Sequence, residues 1–248
     1  MREFTHPDLG GRVALITGAS GGIGAELSTR LAASGAAAAV HYGTNRASAQ
    51  RVVEAIVAGG GRAATFAADL RDRQAPEQLI AAVEEELGAV DILCANAALS
   101  RRGTFQEIDA DAFDETIAVN LRAPYLLARR ALPGMVERGF GRVLFVSSIA
   151  GFTGGITGPH YAASKAGLHG LTHFLASRVA PSGVTVNAIA PALIMTGMLP
   201  GDPDELARRV PVARLGAPGE VADLAVAVLG NGYMTNQVIS IDGGLHPR

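Results

Sequence analysis

This chain of 248 residues has one cysteine, one lysine and no tryptophan, and only 5% of it is aromatic. A single cysteine excludes an intramolecular disulfide and a cysteine-based metal cluster. That residue, Cys94, closes the apolar run Val90-Asp-Ile-Leu-Cys94, where it reads as a small buried hydrophobe. Positive charge is not in excess: 21 Lys and Arg face 23 Asp and Glu, for a formal net charge of -2. A chain without a broad basic field is a poor match for nucleic acid or an anionic membrane surface. Apolar runs stay short of membrane-spanning length. Met1 to Gly11 has no apolar signal core, so a cytoplasmic protein is expected. Internal repeats and low-complexity linkers are missing too. With 48% hydrophobic residues the chain can bury a large core, and its length suits one α/β domain over residues 1–248.

The lone lysine, Lys165, directs attention to its surroundings. Arginine serves at solvated surfaces and in ion pairs but cannot replace a compact ammonium on a flexible stem. Tyr161 and Lys165 lie four apart in the helix-forming run Tyr-Ala-Ala-Ser-Lys, which stacks them on one face. A free phenol titrates near pH ~10, and a fixed positive charge beside it favours the phenolate and lowers that value. Tyr161 is then equipped to trade protons with an alcohol or carbonyl oxygen. Taken alone, the pair also fits a tyrosine and a lysine sharing a helix by chance.

Along the chain, Arg12 to Thr17 is a strand-like run followed by Gly18-Ala-Ser-Gly-Gly22-Ile-Gly24 and a helical pattern through Ala33. Strand, glycine-rich turn and helix place backbone amides and a helix N-terminus against a pyrophosphate. Ala37 to Tyr42 reads as the second strand. Enzymes that select NAD place an acid near its end to hold the ribose 2′-hydroxyl. Here Gly43-Thr-Asn-Arg46 has no acid, and Thr44, Asn45 and Arg46 offer a hydroxyl, an amide and a guanidinium where the next helix begins. That set suits a 2′-phosphate and favours NADP(H) over NAD(H); the alternative is a helix cap beside a solvated arginine. Ala63 to Asp69 and Val90 to Ala95 read as strands three and four, which puts Asp69 and Asn96 on the same rim as the glycine turn.

Ala110 to Arg138 reads as one long helical pattern containing Asn120, Pro124 and Pro133. Pro124 has no amide for the carbonyl of Asn120, a seat for an ordered water or simply a proline kink. Arg142 to Ser148 is strand five, the Tyr161 helix runs to about Val179, and Gly183 to Ala190 is strand six. Residues 191–220 are irregular, with apolar Leu193, Ile194, Met195, Met198 and Leu199, and read as a substrate lid with a short helix near Asp204 to Arg208. Gln237 to Gly244 supplies strand seven. His169 and His173 continue the spacing of Tyr161 and Lys165, but no third ligand matches, so no metal site is expected and a packed helix face is the better reading.

Thr17-Gly-Ala-Ser-Gly-Gly-Ile-Gly24, Asp69-Leu70, Asn96-Ala97, Asn120, Ser148, Tyr161-x-x-x-Lys165 and Asp242-Gly-Gly together resemble the short-chain dehydrogenase/reductase family over essentially the whole length. The resemblance implies a Rossmann-type, doubly wound, parallel seven-stranded sheet flanked by helices. It implies a catalytic set of Asn120, Ser148, Tyr161 and Lys165, with Asn120 holding a water that links Lys165 to solvent. Cofactor contacts carried over are Gly18, Ser20, Gly22, Ile23 and Gly24 at the phosphates and Asp69 with Leu70 at the adenine. Asn96 and Ala97 fall at the adenine ribose, Tyr161 and Lys165 at the nicotinamide ribose, and Pro191, Ile194 and Thr196 beside the nicotinamide amide. Three places depart from the common pattern: Ala95-Asn-Ala-Ala98, Pro191-Ala192 and a shortened segment at Val228 to Asn236.

Within the family the chain looks most like the 3-oxoacyl-acyl-carrier-protein reductase branch, which implies reduction of a ketone or 3-oxoacyl thioester with NADPH. An acyl carrier protein as partner would need a basic mouth, for which Arg101, Arg102, Arg129, Arg130 and Arg178 are the candidates. Pro133 and Ser177, however, stand where exposed basic residues would be expected. Other readings are an NAD(P)-dependent dehydrogenase oxidising a sugar, polyol or other secondary alcohol, and a non-catalytic NAD(P)-sensing protein. The family habit implies a homotetramer built on the helices near 110–138 and 159–180.

Overall fold

The computed structural model describes residues 9–197, 199 and 201–246. Met198 and residues 1–8 of the amino-terminal segment lie outside the described residues. Seven strands, β1 (Val13–Ile16), β2 (Ala37–Tyr42), β3 (Ala63–Ala67), β4 (Val90–Ala95), β5 (Gly141–Val146), β6 (Val184–Pro191) and β7 (Val238–Ile241), form one sheet in the order β3-β2-β1-β4-β5-β6-β7. Every neighbouring pair is parallel. The central strands β4, β5 and β6 are buried along their entire length, whereas the edge strands β3 and β7 are mostly half-exposed. That gradient is why the middle strands read as largely apolar runs.

Side chains alternate across each strand, so one strand feeds two cores. Leu15 of β1 joins the core under α3 (Ala75–Glu86), α5 (Ala123–Glu137) and α7 (Pro159–Val179). Ala14 and Ile16 join the opposite core, under α1 (Gly22–Ala33), α2 (Arg46–Ala58) and α9 (Pro218–Gly230). The chain turns back on itself between β1 and β4, and at such a reversal the crevice beyond the carboxyl ends of the strands receives the ligand.

The long helix expected over 110–138 is two helices joined by a π-turn. α4 (Ala110–Ile117) leads into a π-helical turn at Ala118–Arg122 before α5 begins, and the Ala123 N–H donates to the Ala118 carbonyl, five residues back. Pro124 is the physical reason: lacking an N–H, it cannot continue the four-residue ladder, and the wider turn absorbs the mismatch. The glycine-rich stretch after Ser148 contains a short helix, α6 (Ala150–Thr153), ended by Gly154 at φ 85. The irregular segment after β6 carries α8 (Pro203–Ala207) and a bridge between Ile194 and Gly216.

Candidate active site

A cleft of about 620 Å³ opens at the chain reversal, between the glycine turn, the end of β2, residues 68–71 and residues 96–99. Its floor is the start of α1. Gly21 is the N-cap, no side chain caps the helix, and its first turn holds no acid, so the first amides are available to an anion. The turn admits little but glycine. A Cβ at Gly18, where φ is +64, would lie 2.8 Å from the Ala97 Cα. One at Gly24 would lie 2.5 Å from the Gly18 carbonyl oxygen and 2.7 Å from the Asn96 amide nitrogen. At Gly21, by contrast, nothing stands within 4 Å, so the chain is open on the side where a pyrophosphate must approach. Asn96 buckles the turn to β4: its Nδ2 donates to the carbonyls of Thr17 (2.9 Å) and Gly18 (3.1 Å). The Thr17 hydroxyl accepts from the backbone N–H groups of Asn96 and Ala97, each at 3.0 Å. These residues fit a dinucleotide.

Toward the adenosine end, Thr44 and Asn45 line the cleft, and no acid stands at the end of β2. Asn45 also caps α2, its Oδ1 accepting from the Ser48 N–H at 3.1 Å. Arg46 is the first residue of α2, exposed and just off the lining. Asp69 and Leu70 line the cleft as expected, together with Arg71 and Glu115, which the sequence did not single out. The Arg71 guanidinium grips Asp69 (Nη2 to Oδ2, 2.6 Å) and reaches Glu115 at 3.2 Å. That grip holds the Asp69 carboxyl below its ordinary pKa. Glu115 stands 44 residues away in sequence, so only the folded crevice brings the three together.

A second cavity, about 460 Å³, adjoins the first through Ile23, Asn96, Ala98 and Thr196. Ser148, just beyond β5, and Tyr161 and Lys165, on one face of α7, meet on its wall. The Lys165 Nζ lies 5.5 Å from the centre of the Tyr161 ring and donates to the Val146 carbonyl at 2.8 Å. Lys165 is buried, and burial lowers its pKa to about 7. Tyr161 keeps part of its surface open, yet burial is the larger influence on its phenol and raises its pKa, with a hydrogen bond from Ser148 opposing. The sequence suggested the reverse direction. The reason is desolvation, which disfavours the charged form of both groups and so weakens the ammonium that was to stabilise the phenolate.

Asn120 is buried and off both linings. Its Oδ1 accepts from the Leu99 N–H at 2.7 Å, and its Nδ2 donates to the Leu99 carbonyl (2.9 Å) and the Ser164 hydroxyl (3.2 Å). The side chain thus pins the segment after β4 against α7. Pro191, Ile194 and Thr196 line this second cavity, and Leu199, Leu206 and Arg209 of the expected lid border it with Ile149 and Ile156. Leu245 is a wall that sequence reasoning missed. Asp242 accepts from the N–H groups of Gly244 (2.9 Å) and His246 (3.1 Å), and His246 stacks on Phe152 at 5.8 Å, which seats Leu245 there.

The arginines considered for a basic mouth are dispersed. Arg130 pairs with Glu77 and Glu84, and Arg178 lies over Phe174, while Arg101 and Arg102 follow Ser100, which lines the cavity. His169 and His173 face different partners: His169 meets the Ser147 hydroxyl at 2.8 Å and Phe152, and His173 meets Asn236 at 2.7 Å. Cys94 is fully buried, as its apolar run suggested.

One space shaped for a dinucleotide, adjoining another walled by a serine, a phenol and a buried amine, points to a nucleotide-dependent oxidoreductase of the doubly wound α/β class. The short chain dehydrogenase family profile matches residues 12–206. The chain is 34% identical over 241 residues to an acetoacetyl-CoA reductase of Allochromatium vinosum, covering 94% of this chain and 98% of that protein. It is 33% identical over 240 residues to the 3-oxoacyl-acyl-carrier-protein reductase FabG of Staphylococcus aureus, covering 94% and 97%. The crystal structure of a dehydrogenase/reductase from Sinorhizobium meliloti superposes with a TM-score of 0.89 at 37% identity, covering 97% of each chain. The chain therefore belongs to the short-chain dehydrogenase/reductase family and is an NAD(P)-dependent oxidoreductase.

Proposed function

We propose that this enzyme reduces a ketone or 3-oxoacyl thioester to a secondary alcohol with NADPH, using Tyr161 as the general acid. The observation that carries the reading is the meeting of Ser148, Tyr161 and buried Lys165 where the dinucleotide cleft joins an apolar-walled cavity. Gly18, Ser20, Gly22, Ile23 and Gly24 would hold the pyrophosphate, Asp69 and Leu70 the adenine, and Asn96 with Ala97 the adjoining ribose. Tyr161 and Lys165 would hold the nicotinamide ribose, and Pro191, Ile194 and Thr196 the carboxamide. When bound, the nicotinamide supplies hydride to the carbonyl carbon. Ser148 donates a hydrogen bond to the substrate oxygen, and Tyr161 gives that oxygen its proton. Burial favours this direction, because a phenol with a raised pKa stays protonated and ready to donate. Lys165 offsets the negative charge that builds on Tyr161 as the proton leaves. Asn120, through its bonds to Leu99 and Ser164, holds the segment after β4 and α7 at their observed separation.

The absence of an acid at the end of β2, with Thr44 and Asn45 on the cleft and Arg46 beside them, supports the 2′-phosphate reading. Exposed Phe113, Tyr125 and Phe174 on α4, α5 and α7 support a homotetramer. Names of the relatives support a thioester substrate, free or on a carrier protein. No helix among the described residues is long and apolar enough to cross a membrane. The test is titration of NADPH and NADH, then turnover on 3-oxoacyl thioesters and simple ketones by the native enzyme and Tyr161→Phe. NADPH should bind at least about tenfold tighter, roughly 1.4 kcal/mol, with the preference lost in Arg46→Ala. Equal affinity for NADH would sink the cofactor reading, and binding without turnover on any carbonyl would sink the catalytic one.

A further inference from the structure

His41 is buried in β2 at 2% exposure, on the lining of the dinucleotide cleft, and neither the motif nor the catalytic chemistry accounts for it. Its ring bridges two neighbouring strand ends. The Gly18 N–H donates to Nδ1 at 3.1 Å, and Nε2 lies 3.1 Å from the Ala68 carbonyl, one residue before Asp69. Its own carbonyl accepts from the Ala19 N–H at 2.8 Å. The first amides of the glycine turn are therefore all drawn inward: Thr17 to the Cys94 carbonyl (3.0 Å), Gly18 to the His41 ring and Ala19 to the His41 backbone. The residues further along, Ser20 to Ile23, line the cleft.

We propose that His41 is a positioning residue for the dinucleotide, holding the glycine turn in its binding shape through a neutral ring protonated at Nε2. The assignment follows from donor and acceptor roles. Gly18 offers an N–H, so Nδ1 must carry a lone pair; Ala68 offers a carbonyl, so Nε2 must carry the proton. The other tautomer would set two donors against each other at Gly18 and two acceptors at Ala68, and the imidazolium would keep the first clash. Burial agrees with a neutral ring, lowering the His41 pKa to about 4. The inference concerns dinucleotide binding alone and does not depend on the substrate or the direction of reaction.

Three substitutions separate the two contacts. Asparagine places an oxygen where Nδ1 stands and can still accept from Gly18. Glutamine reaches the Ala68 side instead, and leucine makes neither contact. Fluorescence titration of NADPH and NADH should find the Kd of His41→Leu and His41→Gln raised roughly tenfold or more, because a buried donor at Gly18 is left unpaired, with His41→Asn close to native. Histidine-selective ¹⁵N NMR of the cofactor-free native protein, with the His41 signal among the six histidines assigned through bonds from its own backbone resonances, should show the Nε2–H tautomer. A native Kd in folded His41→Leu, or rescue by glutamine and not asparagine, overturns the proposal. So does an Nδ1–H or doubly protonated ring near neutral pH, a result readable on the native chain even where every variant fails to fold.

Discussion

Replacing Lys165 with methionine removes a buried amine whose titration ties folding to pH. In the folded chain burial lowers the lysine pKa from 10.5 to about 7, a fall of about 3.5 pH units. An unfolded chain keeps the ordinary value, so between those limits it binds a proton that the folded chain does not. Stability must then rise with pH across that window, by up to about 1.4 kcal/mol per unit, or about 5 kcal/mol in all. Near pH ~6 and below both states are protonated and the slope vanishes; the full contribution is present only above the unfolded pKa. The assay is urea unfolding of the cofactor-free protein at several pH values from about 6 to about 9.5, native against Lys165→Met, with equal m-values as the check that both unfold to the same extent. Methionine fills much of the same space, and the other titrating groups cancel in the difference between the two chains. The native curve should climb relative to the variant above about pH 7, most steeply near pH 8 to 9. Parallel curves would mean that Lys165 stays charged when folded, held by the Val146 carbonyl and its surroundings, and the claim that burial lowers its pKa would fail.

Gly24→Ala sets a Cβ 2.5 Å from the Gly18 carbonyl, so the turn must shift; calorimetric titration should find the dinucleotide Kd raised by about tenfold or more, and native affinity would show that the turn yields freely. Cys94 is fully buried and burial raises its pKa, so a disulfide reagent should label it only after unfolding in urea. Prompt labelling of the native enzyme would contradict that packing. Leu245→Ala should shift the ratio of kcat/KM between long and short 3-oxoacyl thioesters toward the long by roughly tenfold without changing dinucleotide affinity, and an unchanged profile would remove Leu245 from the substrate wall.

Much of this enzyme could be read before folding was considered. The runs Val90 to Ala95 and Arg142 to Ser148 announced strands through the unbroken apolar stretches Ile92 to Ala95 and Val143 to Val146. The glycines from Gly18 to Gly24 announced a close backbone approach, and the single lysine, four residues past Tyr161, announced chemistry. These are local signals, carried by residue type and spacing along a few turns of chain. Other features were hidden for one shared reason. Arg71 meets Glu115, His41 meets Gly18 and Ala68, and Leu245 reaches the second cavity only because the order β3-β2-β1-β4-β5-β6-β7 brings remote strand ends to one rim. Even at Tyr161 and Lys165 the sequence supplied the partners but not the sign of the effect on the phenol. Spacing determines which groups can meet, whereas the free energy of their charges depends on how much water the surrounding core excludes, and tertiary packing alone decides that.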